Sequence, residues 1–480
     1  MSGFVSRLKN HKKKLIALAI FLVGPCVFHG GVRAFTSIDP PTVVTPKGEV
    51  TERGDLRTFG QSYAKHRGKI LEVGLTGSPE EMGYAHSRLL YREMVQNEGT
   101  LYGQFEKYVP IAPVRWLIVD ISRLQFRGVD AGMPDERRRE IAAQSLGFSP
   151  DPYADFMPTY QRLIFLQSLY DIALSFEHSP LLGCTSFALT DAASEGGHAL
   201  LARNFDFEAG PIFDEGKAVF LVRQTDRIPY ASVSWPGLVG AVSGMNADGL
   251  GVVVHGARAK EAQPKGEPVV HTVRDLLGRA HTTTEAIEIL LSKAAMVPHM
   301  LMLVDASGDA AVVERVPGEP PFVRRGRGKV PLTNHLEGPL APDPANQRVL
   351  ASTSTTSRRK RLDEILANLR PGASVQDAVS VLRDKSGPGG ETLPLGDRRT
   401  LDALIATHAV VMDATAKVLW VSEGPHLVGR FIKFDLAKLL SSQYAPDQDS
   451  TVDSIAADPI ADDGRYDAWV KSGSPHQGVN

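Results

Sequence analysis

The chain is poor in cysteine: among its 480 residues there are two, Cys26 and Cys184. Cys26 falls within an apolar N-terminal stretch, which leaves Cys184 as the one thiol in the rest of the chain. A single thiol cannot form an internal disulfide, and no Cys/His cluster with metal-ligand spacing accompanies it. The sequence therefore predicts no disulfide framework and no metal or other cofactor. Cys184 is then either a buried core residue or a reactive one.

The chain also lacks an excess of charge of either sign. Lysine and arginine total 53, aspartate and glutamate total 55, and the formal net charge is −2. A nucleic-acid-binding protein normally carries a basic footprint. No glycine-rich phosphate-binding loop is present either. We therefore expect no nucleic-acid partner.

Basic residues precede a short apolar stretch at the N-terminus. Five of them fall between Arg7 and Lys14, and the apolar stretch covers the 14 residues from Leu15 to Phe28. A bilayer-spanning helix needs about 20 apolar residues, so this length is typical of a signal-peptide core. The alternative is an uncleaved membrane anchor. Both interpretations of residues 1–34 predict an exported, periplasmic or extracytoplasmic protein with a possible membrane association.

The rest of the chain changes its hydrophobic pattern twice. Residues 35–56 are rich in proline and predict a linker, and residues 57–183 are mostly helical in pattern. From Cys184 onward, short β-branched or aromatic runs alternate with pairs of helical patterns, which favours an α+β domain with antiparallel sheets over residues 184–443. Residues 444–480 are acidic and polar, and predict a flexible tail.

The residues around Cys184 suggest that the chain cuts itself. Gly183 leaves its own carbonyl open to attack by the neighbouring thiol, and Thr185 begins a strand-like run. Cleavage before Cys184 would free an α-amine with a pKa of about 7.7–8.0. Such an amine can act as the base for the adjacent side chain. The alternative is a structural cysteine at the start of a core strand.

The segment Cys184-Thr185-Ser186, followed by Arg203-Asn204-Phe205-Asp206, resembles the start of the catalytic subunit in N-terminal-nucleophile (Ntn) cysteine hydrolases. Acid ceramidase, N-acylethanolamine acid amidase and the choloylglycine hydrolases, which include bile salt hydrolases and penicillin V acylases, belong to this superfamily. The Gly-Cys-Thr start is also similar to the acyl-CoA:6-aminopenicillanate acyltransferase-like family. The resemblance implies a four-layer αββα sandwich with a helical N-terminal segment. It also implies cleavage between Gly183 and Cys184, which would make residues 57–183 the light chain.

The resemblance assigns roles to three residues of this first motif. Cys184 would be the nucleophile, and Arg203 would place a positive charge beside the thiolate and lower its pKa. Asp206 would hold the terminal ammonium in place. The alternative for Arg203 and Asp206 is an ion pair at a strand end, which contributes little.

Three further motifs supply candidate site residues. Asn246 begins an Asn-x-x-Gly-Leu turn whose asparagine would donate to the oxyanion, although asparagine and glycine also favour turns by themselves. Asn334, in Pro331-Leu332-Thr333-Asn334-His335, resembles the second catalytic asparagine of the superfamily. Arg358 resembles the arginine of a Ser-x-x-Arg motif, but it lies in a basic cluster that could equally form a solvated helix face.

Together these residues predict an Ntn-type cysteine amidohydrolase or acyltransferase. Cys184 would attack an N-acyl amide, and the acyl-thioester would pass to water or to an amine acceptor; an acyl-CoA is a further candidate substrate. The alternative from another class is a catalytically inactive binding protein of the envelope that retains the Ntn fold. The sequence does not separate hydrolysis from transfer.

Overall fold

The computed structural model describes residues 23–175, 182–207, 212–260 and 266–473. Strands form two large sheets. The larger sheet has eleven strands in the described residues, in the spatial order β1 (Thr51–Arg53), β2 (Leu56–Phe59), β3 (Ser62–Arg67), β4 (Ile70–Gly77), β7 (Ala218–Gln224), β8 (Tyr230–Ser234), β9 (Ser243–Asn246), β10 (Gly251–Gly256), β11 (His299–Val304), β12 (Ala310–Arg315) and β13 (Phe322–Gly326). The smaller sheet has seven, in the order β14 (Lys329–Leu332), β5 (Leu182–Leu189), β6 (Leu200–Phe207), β15 (Ala406–Asp413), β16 (Val418–Ser422), β17 (Phe431–Asp435) and β18 (Ser454–Ile455).

Helices flank both sheets. Helix α1 covers residues 23–35 of the described chain. The helices before Cys184 are α2 (Pro79–Leu89), α3 (Tyr91–Tyr108), α4 (Ala112–Gln125), α5 (Asp135–Gly147), α6 (Thr159–Gln167) and α7 (Leu169–Ser175). Those that follow are α8 (Ile212–Glu215), α9 (Val269–Arg279), α10 (Thr283–Leu291), α11 (Pro344–Ser352), α12 (Thr355–Asn368), α13 (Val375–Leu382), α14 (Leu436–Leu439) and α15 (Arg465–Lys471).

Strand alternation shows how the layers stack. On β10, Val252 packs in the core formed with the helices before Cys184 and with α9, whereas Val253 packs in a second core between the sheets. On β6, Leu201 lies in that same inter-sheet core, and Ala202 faces a third core formed with α12 and α13. Successive side chains of a strand point to opposite faces. The order is therefore helices, sheet, sheet, helices, and the predicted α+β four-layer sandwich is confirmed.

The segment before Cys184 is not only helical. Residues 51–77 form strands β1 to β4, and β4 pairs in parallel with β7, in the register Leu71↔Ala218. These strands were not predicted, because their short runs mix charged with apolar residues and β1 is exposed along its whole length. The segment before Cys184 thus completes the larger sheet, to which the chain after Cys184 contributes the other strands.

The predicted flexible tail packs against the body through residue 473. Asp449 accepts a hydrogen bond from Arg67 at 2.7 Å. Trp469, on α15, is buried against Leu404 and Val428. The expectation of a flexible acidic surface is therefore wrong for this part, because a few apolar and charged anchors among the acidic residues suffice to hold it. Residues 474–480 lie outside the described residues.

The N-terminal prediction falls mostly outside the described residues, since residues 1–22 are not described. The described part begins with α1. None of the helices in the described ranges is long and apolar enough to cross a bilayer.

Candidate active site

Cys184 lies near the start of β5, opposite Phe205 of β6. Its side chain shares a strand face with Ala188, which packs between the two sheets, and it is fully buried. Burial raises the pKa of the Cys184 thiol above its ordinary value, and the charge of Arg203 acts in the opposite direction. Arg203 therefore lowers the pKa of the thiol as expected, but burial outweighs this effect in the intact chain.

Arg203 joins the two sheets at the thiol. From β6 of the smaller sheet, its Nη1 donates to the carbonyl of Val242 at 2.6 Å and to the hydroxyl of Ser243 at 2.5 Å, both from the larger sheet. Its Nη2 donates to the Cys184 Sγ at 3.3 Å and to the carbonyl of Val254. These contacts fix a buried positive charge next to the sulfur. Ser243, which orients Arg203, was not predicted, because no motif in the sequence marks it.

Gly183 and Asp206 lie opposite each other on β5 and β6. A Cβ atom built on Gly183 would be 3.0 Å from the Asp206 Oδ2. The carboxylate thus lies close to the peptide bond that was predicted to be cut, and a side chain before Cys184 would require it to shift. The negative charge of Asp206 also raises the pKa of the thiol.

Asn334 contacts the backbone nitrogen of Cys184. Strand β14 pairs with β5 no further than Leu332↔Ser186, so this N–H lies beyond the end of the ladder. The Asn334 Oδ1 accepts from it at 2.7 Å, and the Asn334 Nδ2 donates to the carbonyl of Gly256 at 3.1 Å. The structure therefore brings Asn334 to Cys184, and its oxygen is placed on the atom that cleavage would turn into an amine.

Arg358 is the residue of the basic cluster that reaches the site. Its Nη1 donates to the carbonyl of Cys184 and, at 2.9 Å, to the hydroxyl of Thr185, while its Nη2 donates to the Asn334 Oδ1 at 3.0 Å. Arg359 and Arg361 bind carboxylates elsewhere, those of Asp363 and Asp384. Burial lowers the pKa of Arg358 below its ordinary value. The interpretation of this cluster as a solvated face is thus wrong for Arg358.

Asn246 does not point toward Cys184. Its Nδ2 donates to the carbonyls of Leu277 and Ala280, at 3.0 and 2.8 Å, at the end of α9. Its Oδ1 accepts from the backbone of the turn, including the N–H of Leu250 at 2.9 Å. Since Met245 faces the inter-sheet core, the next residue of β9 faces the helices instead. The prediction of Asn246 as an oxyanion donor is corrected, and the turn interpretation holds.

Two histidines near the site are held neutral. His408 bonds through Nε2 to the Ser243 hydroxyl at 2.9 Å, and burial keeps its pKa well below the ordinary value. His335 lies within hydrogen-bond distance of the Thr355 hydroxyl at 3.1 Å, and burial lowers its pKa to about 4. Among the described residues, neither histidine hydrogen-bonds to the Cys184 sulfur. Within the described ranges, moreover, no group of three or more His, Cys, Asp and Glu side chains could hold a metal.

An apolar cavity of ≈ 100 Å³ adjoins the site. Aliphatic side chains of α3 and α6, including Met94 and Leu163, line one side. Aromatic side chains line the other side, namely Tyr170, Phe205, Phe207, Phe213 and Trp235. Cys184 itself does not line the cavity, but its strand partner Phe205 does, so the cavity lies next to the nucleophile. The sequence interpretation missed this cavity, because its walls come from segments on both sides of Cys184.

With this geometry described, known proteins can be compared. Residues 193–394 match the acyl-coenzyme A:6-aminopenicillanic acid acyl-transferase family. The resemblance predicted from the sequence is thereby confirmed, and an Ntn-type acyltransferase or amidase is supported. The matched range contains Arg203, Asp206, Asn334 and Arg358, and it begins after Cys184. No curated protein sequence matches the chain.

Solved structures of Ntn hydrolases are similar to this chain at low sequence identity. The Caenorhabditis elegans ortholog of N-acylethanolamine-hydrolyzing acid amidase is 16% identical, over 48% of this chain and 93% of its own, with a TM-score of 0.37. Penicillin V acylase from Agrobacterium tumefaciens is 20% identical, over 54% and 89%, with a TM-score of 0.37. A mutant of the conjugated bile acid hydrolase from Clostridium perfringens is 14% identical, over 57% and 97%, also at 0.37.

Proposed function

We propose that this protein is a self-processing cysteine amidohydrolase or acyltransferase that acts on N-acyl amides through an acyl-thioester on Cys184. The observation that carries the proposal is the convergence of separate segments on one residue. Arg203 contacts its sulfur, Asn334 its nitrogen and Arg358 its carbonyl oxygen. A structural core cysteine needs none of these contacts.

The first step would be cleavage of the chain. The Cys184 sulfur attacks the carbonyl carbon of Gly183, the bond from that carbon to the Cys184 nitrogen breaks, and the nitrogen takes the thiol proton. Water then hydrolyses the resulting thioester, which leaves a carboxylate on Gly183 and a free thiol and amine on Cys184. Gly183 lies in β5 opposite Asp206, and it supports this step because it places no side chain beside the carbonyl that the thiol attacks.

The second step would be turnover of the external amide. The amine of Cys184 accepts the thiol proton, and the sulfur attacks the acyl carbon of the substrate. The tetrahedral adduct collapses with cleavage of the carbon–nitrogen bond, and the leaving amine takes a proton from the Cys184 ammonium. Water or an acceptor amine then attacks the thioester and restores the thiol. Arg203 stabilises the negative charge on sulfur, and Asn334 holds the amine.

We also propose that the protein is exported and lies against a membrane. Helix α4 presents apolar side chains at helical spacing that are 40–51% exposed, namely Val114, Leu117, Ile121 and Leu124. Helix α1, which continues the apolar N-terminal stretch, contacts α4 through His29 and Asp120 at 2.8 Å. The exposed apolar face of α4 thus lies beside the helix that continues the apolar N-terminal stretch. This arrangement supports a lipid bilayer as the surface that α4 contacts. Leu117→Glu should weaken cosedimentation with anionic phospholipid vesicles, and unchanged binding would contradict the membrane proposal.

Intact mass and N-terminal sequencing of the purified protein test the processing proposal directly. We expect two chains, with the second beginning Cys-Thr-Ser-Phe. Cleaved protein should then release free acid from a panel of N-acyl amides, and added hydroxylamine should divert the acyl group to a hydroxamate if a thioester forms. A full-length chain that binds these amides without turnover would instead favour the inactive binding protein.

A further inference from the structure

The corrected position of Asn246 leaves the substrate carbonyl without an assigned hydrogen-bond donor. Acyl transfer needs such a donor, because negative charge develops on the carbonyl oxygen in the transition state. The other amide at the site is engaged too, since the Asn334 Nδ2 donates to Gly256. A buried group near Cys184 that has no partner in the described residues is therefore a candidate for this donor.

Tyr170 meets these conditions. It lies on α7, is buried, and its hydroxyl has no hydrogen-bond partner in the described part of the chain. Its ring stacks on Phe205, with centroids 6.4 Å apart and an angle of 17° between the planes. Phe205 is the strand partner of Cys184. An unpartnered buried hydroxyl is costly to a fold, so it calls for an explanation.

Contact with the cavity distinguishes Tyr170 from other unpartnered groups nearby. The Arg203 Nε and the His408 Nδ1 also have no partner in the described residues. Neither residue lines the cavity, whereas Tyr170 does. Tyr170 is therefore the unpartnered donor among these three that a molecule in the cavity would meet.

We propose that the Tyr170 hydroxyl donates a hydrogen bond to the carbonyl oxygen of the scissile amide, while the acyl group of the substrate occupies the apolar cavity. This inference rests on the proposed function. It makes Tyr170 a catalytic residue that the chain before the cleavage site supplies to the nucleophile after it. The light chain would accordingly be required for turnover after cleavage.

The protonation of Tyr170 agrees with this role. Burial keeps the pKa of its hydroxyl well above the ordinary value, and the nearby Cys184 thiolate raises it further. The hydroxyl therefore remains a donor over the whole range in which the enzyme would work. A neutral donor suits an oxyanion, since it stabilises charge without losing its own proton.

The volume and the lining of the cavity also limit which acyl group the substrate can carry. Its ≈ 100 Å³ is smaller than the engineered cavity of about 150 Å³ that binds benzene. Buried Glu98 lies at its wall and is paired with Arg162, so that the cavity ends at a polar cluster. A short aliphatic acyl group fits this space, whereas a benzene-sized ring exceeds it and a carboxylate-bearing acyl group would meet Glu98.

Tyr170→Phe tests the inference because it removes one hydroxyl and keeps the ring on Phe205. We expect kcat to fall about 10²–10³-fold, the loss typical of one oxyanion donor, with KM little changed. Cleavage before Cys184 should remain complete. The matched control is Tyr160→Phe, since the Tyr160 hydroxyl is also buried and unpartnered but lies outside the cavity lining. Its turnover should equal that of the wild type.

The melting temperature shows whether the hydroxyl is truly free. Both variants should melt at or above the wild-type temperature, because each loses an unsatisfied buried group. A lower melting temperature or a failure to fold in Tyr170→Phe alone would show that its hydroxyl has a structural partner and would overturn the inference. Wild-type turnover in Tyr170→Phe would overturn it as well. If Cys184→Ala is inactive in that same assay, the proposed function stands without the inference; if Cys184→Ala is active, the proposed function itself fails.

Discussion

Replacing Asn334 with alanine should separate the stability of the fold from its processing. The Asn334 side chain makes three hydrogen bonds, to the Cys184 N–H at 2.7 Å, the Arg358 Nη2 at 3.0 Å and the Gly256 carbonyl at 3.1 Å. A buried partner left unpaired costs about 1–3 kcal/mol. Three such partners would lower the free energy of unfolding by roughly 3–7 kcal/mol, with Arg358 at the lower end because it keeps its other bonds.

The chain offers a matched control in Asn346. This fully buried asparagine also makes three hydrogen bonds, to the backbone of Leu336 at 2.9 and 3.1 Å and of Ala341 at 2.9 Å. Asn346→Ala should therefore lower the free energy of unfolding by a similar amount. It should leave cleavage intact, because none of its bonds reaches Cys184. Asn334→Ala should instead accumulate uncut chain, since the nitrogen of the scissile bond is no longer held.

Denaturant unfolding gives the stabilities, and intact mass after timed incubation gives the extent of cleavage. The comparison is made at a temperature where both variants are folded by far-UV circular dichroism. Equal cleavage in Asn334→Ala and Asn346→Ala would refute the assignment of Asn334 to the Cys184 nitrogen. Equal loss of cleavage in both would show that processing follows stability alone, which refutes it too.

Four further outcomes follow from the site. Cys184→Ala should give a single uncut chain by mass, and cleavage of this variant would assign the cut to another protease. Gly183→Ala should slow processing, because its Cβ would lie 3.0 Å from the Asp206 Oδ2, and time-resolved gels should show it. Asn246→Ala should lower the melting temperature while turnover per folded molecule remains near wild type; a specific loss of turnover would restore its oxyanion role. His335→Ala should keep a turnover that rises with pH near the α-amine pKa of about 7.7–8.0, since the base must be deprotonated, and a dead but cleaved variant would make this histidine the base.

The sequence was informative where a short motif carries the site. Cys184, Arg203, Asn334 and Arg358 lie far apart in the chain, yet the structure brings them together as the resemblance implied. Cys184, Asn334 and Arg358 lie near a strand or helix end, and Arg203 lies within β6, all in elements whose pattern is visible in the sequence. The fold class could be predicted for the same reason, because period-two runs and helical pairs alternate after Cys184.

The position of Asn246 was predicted wrongly and Tyr170 was not predicted at all, and both outcomes have physical causes. Asn246 lies one residue after Met245, which is apolar and faces the inter-sheet core, so a strict period of two already places Asn246 on the other face. Turn preference and site chemistry select the same residue type there, and the motif alone does not separate them. Tyr170 gives no such signal, because its place beside Phe205 depends on how α7 packs against another part of the chain.

The raised pKa of Cys184 fits a nucleophile that its own cleavage makes reactive. In the intact chain the Cys184 nitrogen is an amide and cannot act as a base for the thiol, and burial raises the pKa of the thiol. A protonated thiol is sufficient for one slow cleavage per molecule, but repeated turnover needs a base that removes its proton. Cleavage would turn the same nitrogen, held by Asn334 at 2.7 Å, into an amine that accepts the thiol proton. Uncut Asn334→Ala should therefore react with iodoacetamide at Cys184 more slowly than cleaved enzyme at the same pH, as followed by mass spectrometry. Equal rates would show that Arg203, rather than the freed amine, activates the thiol.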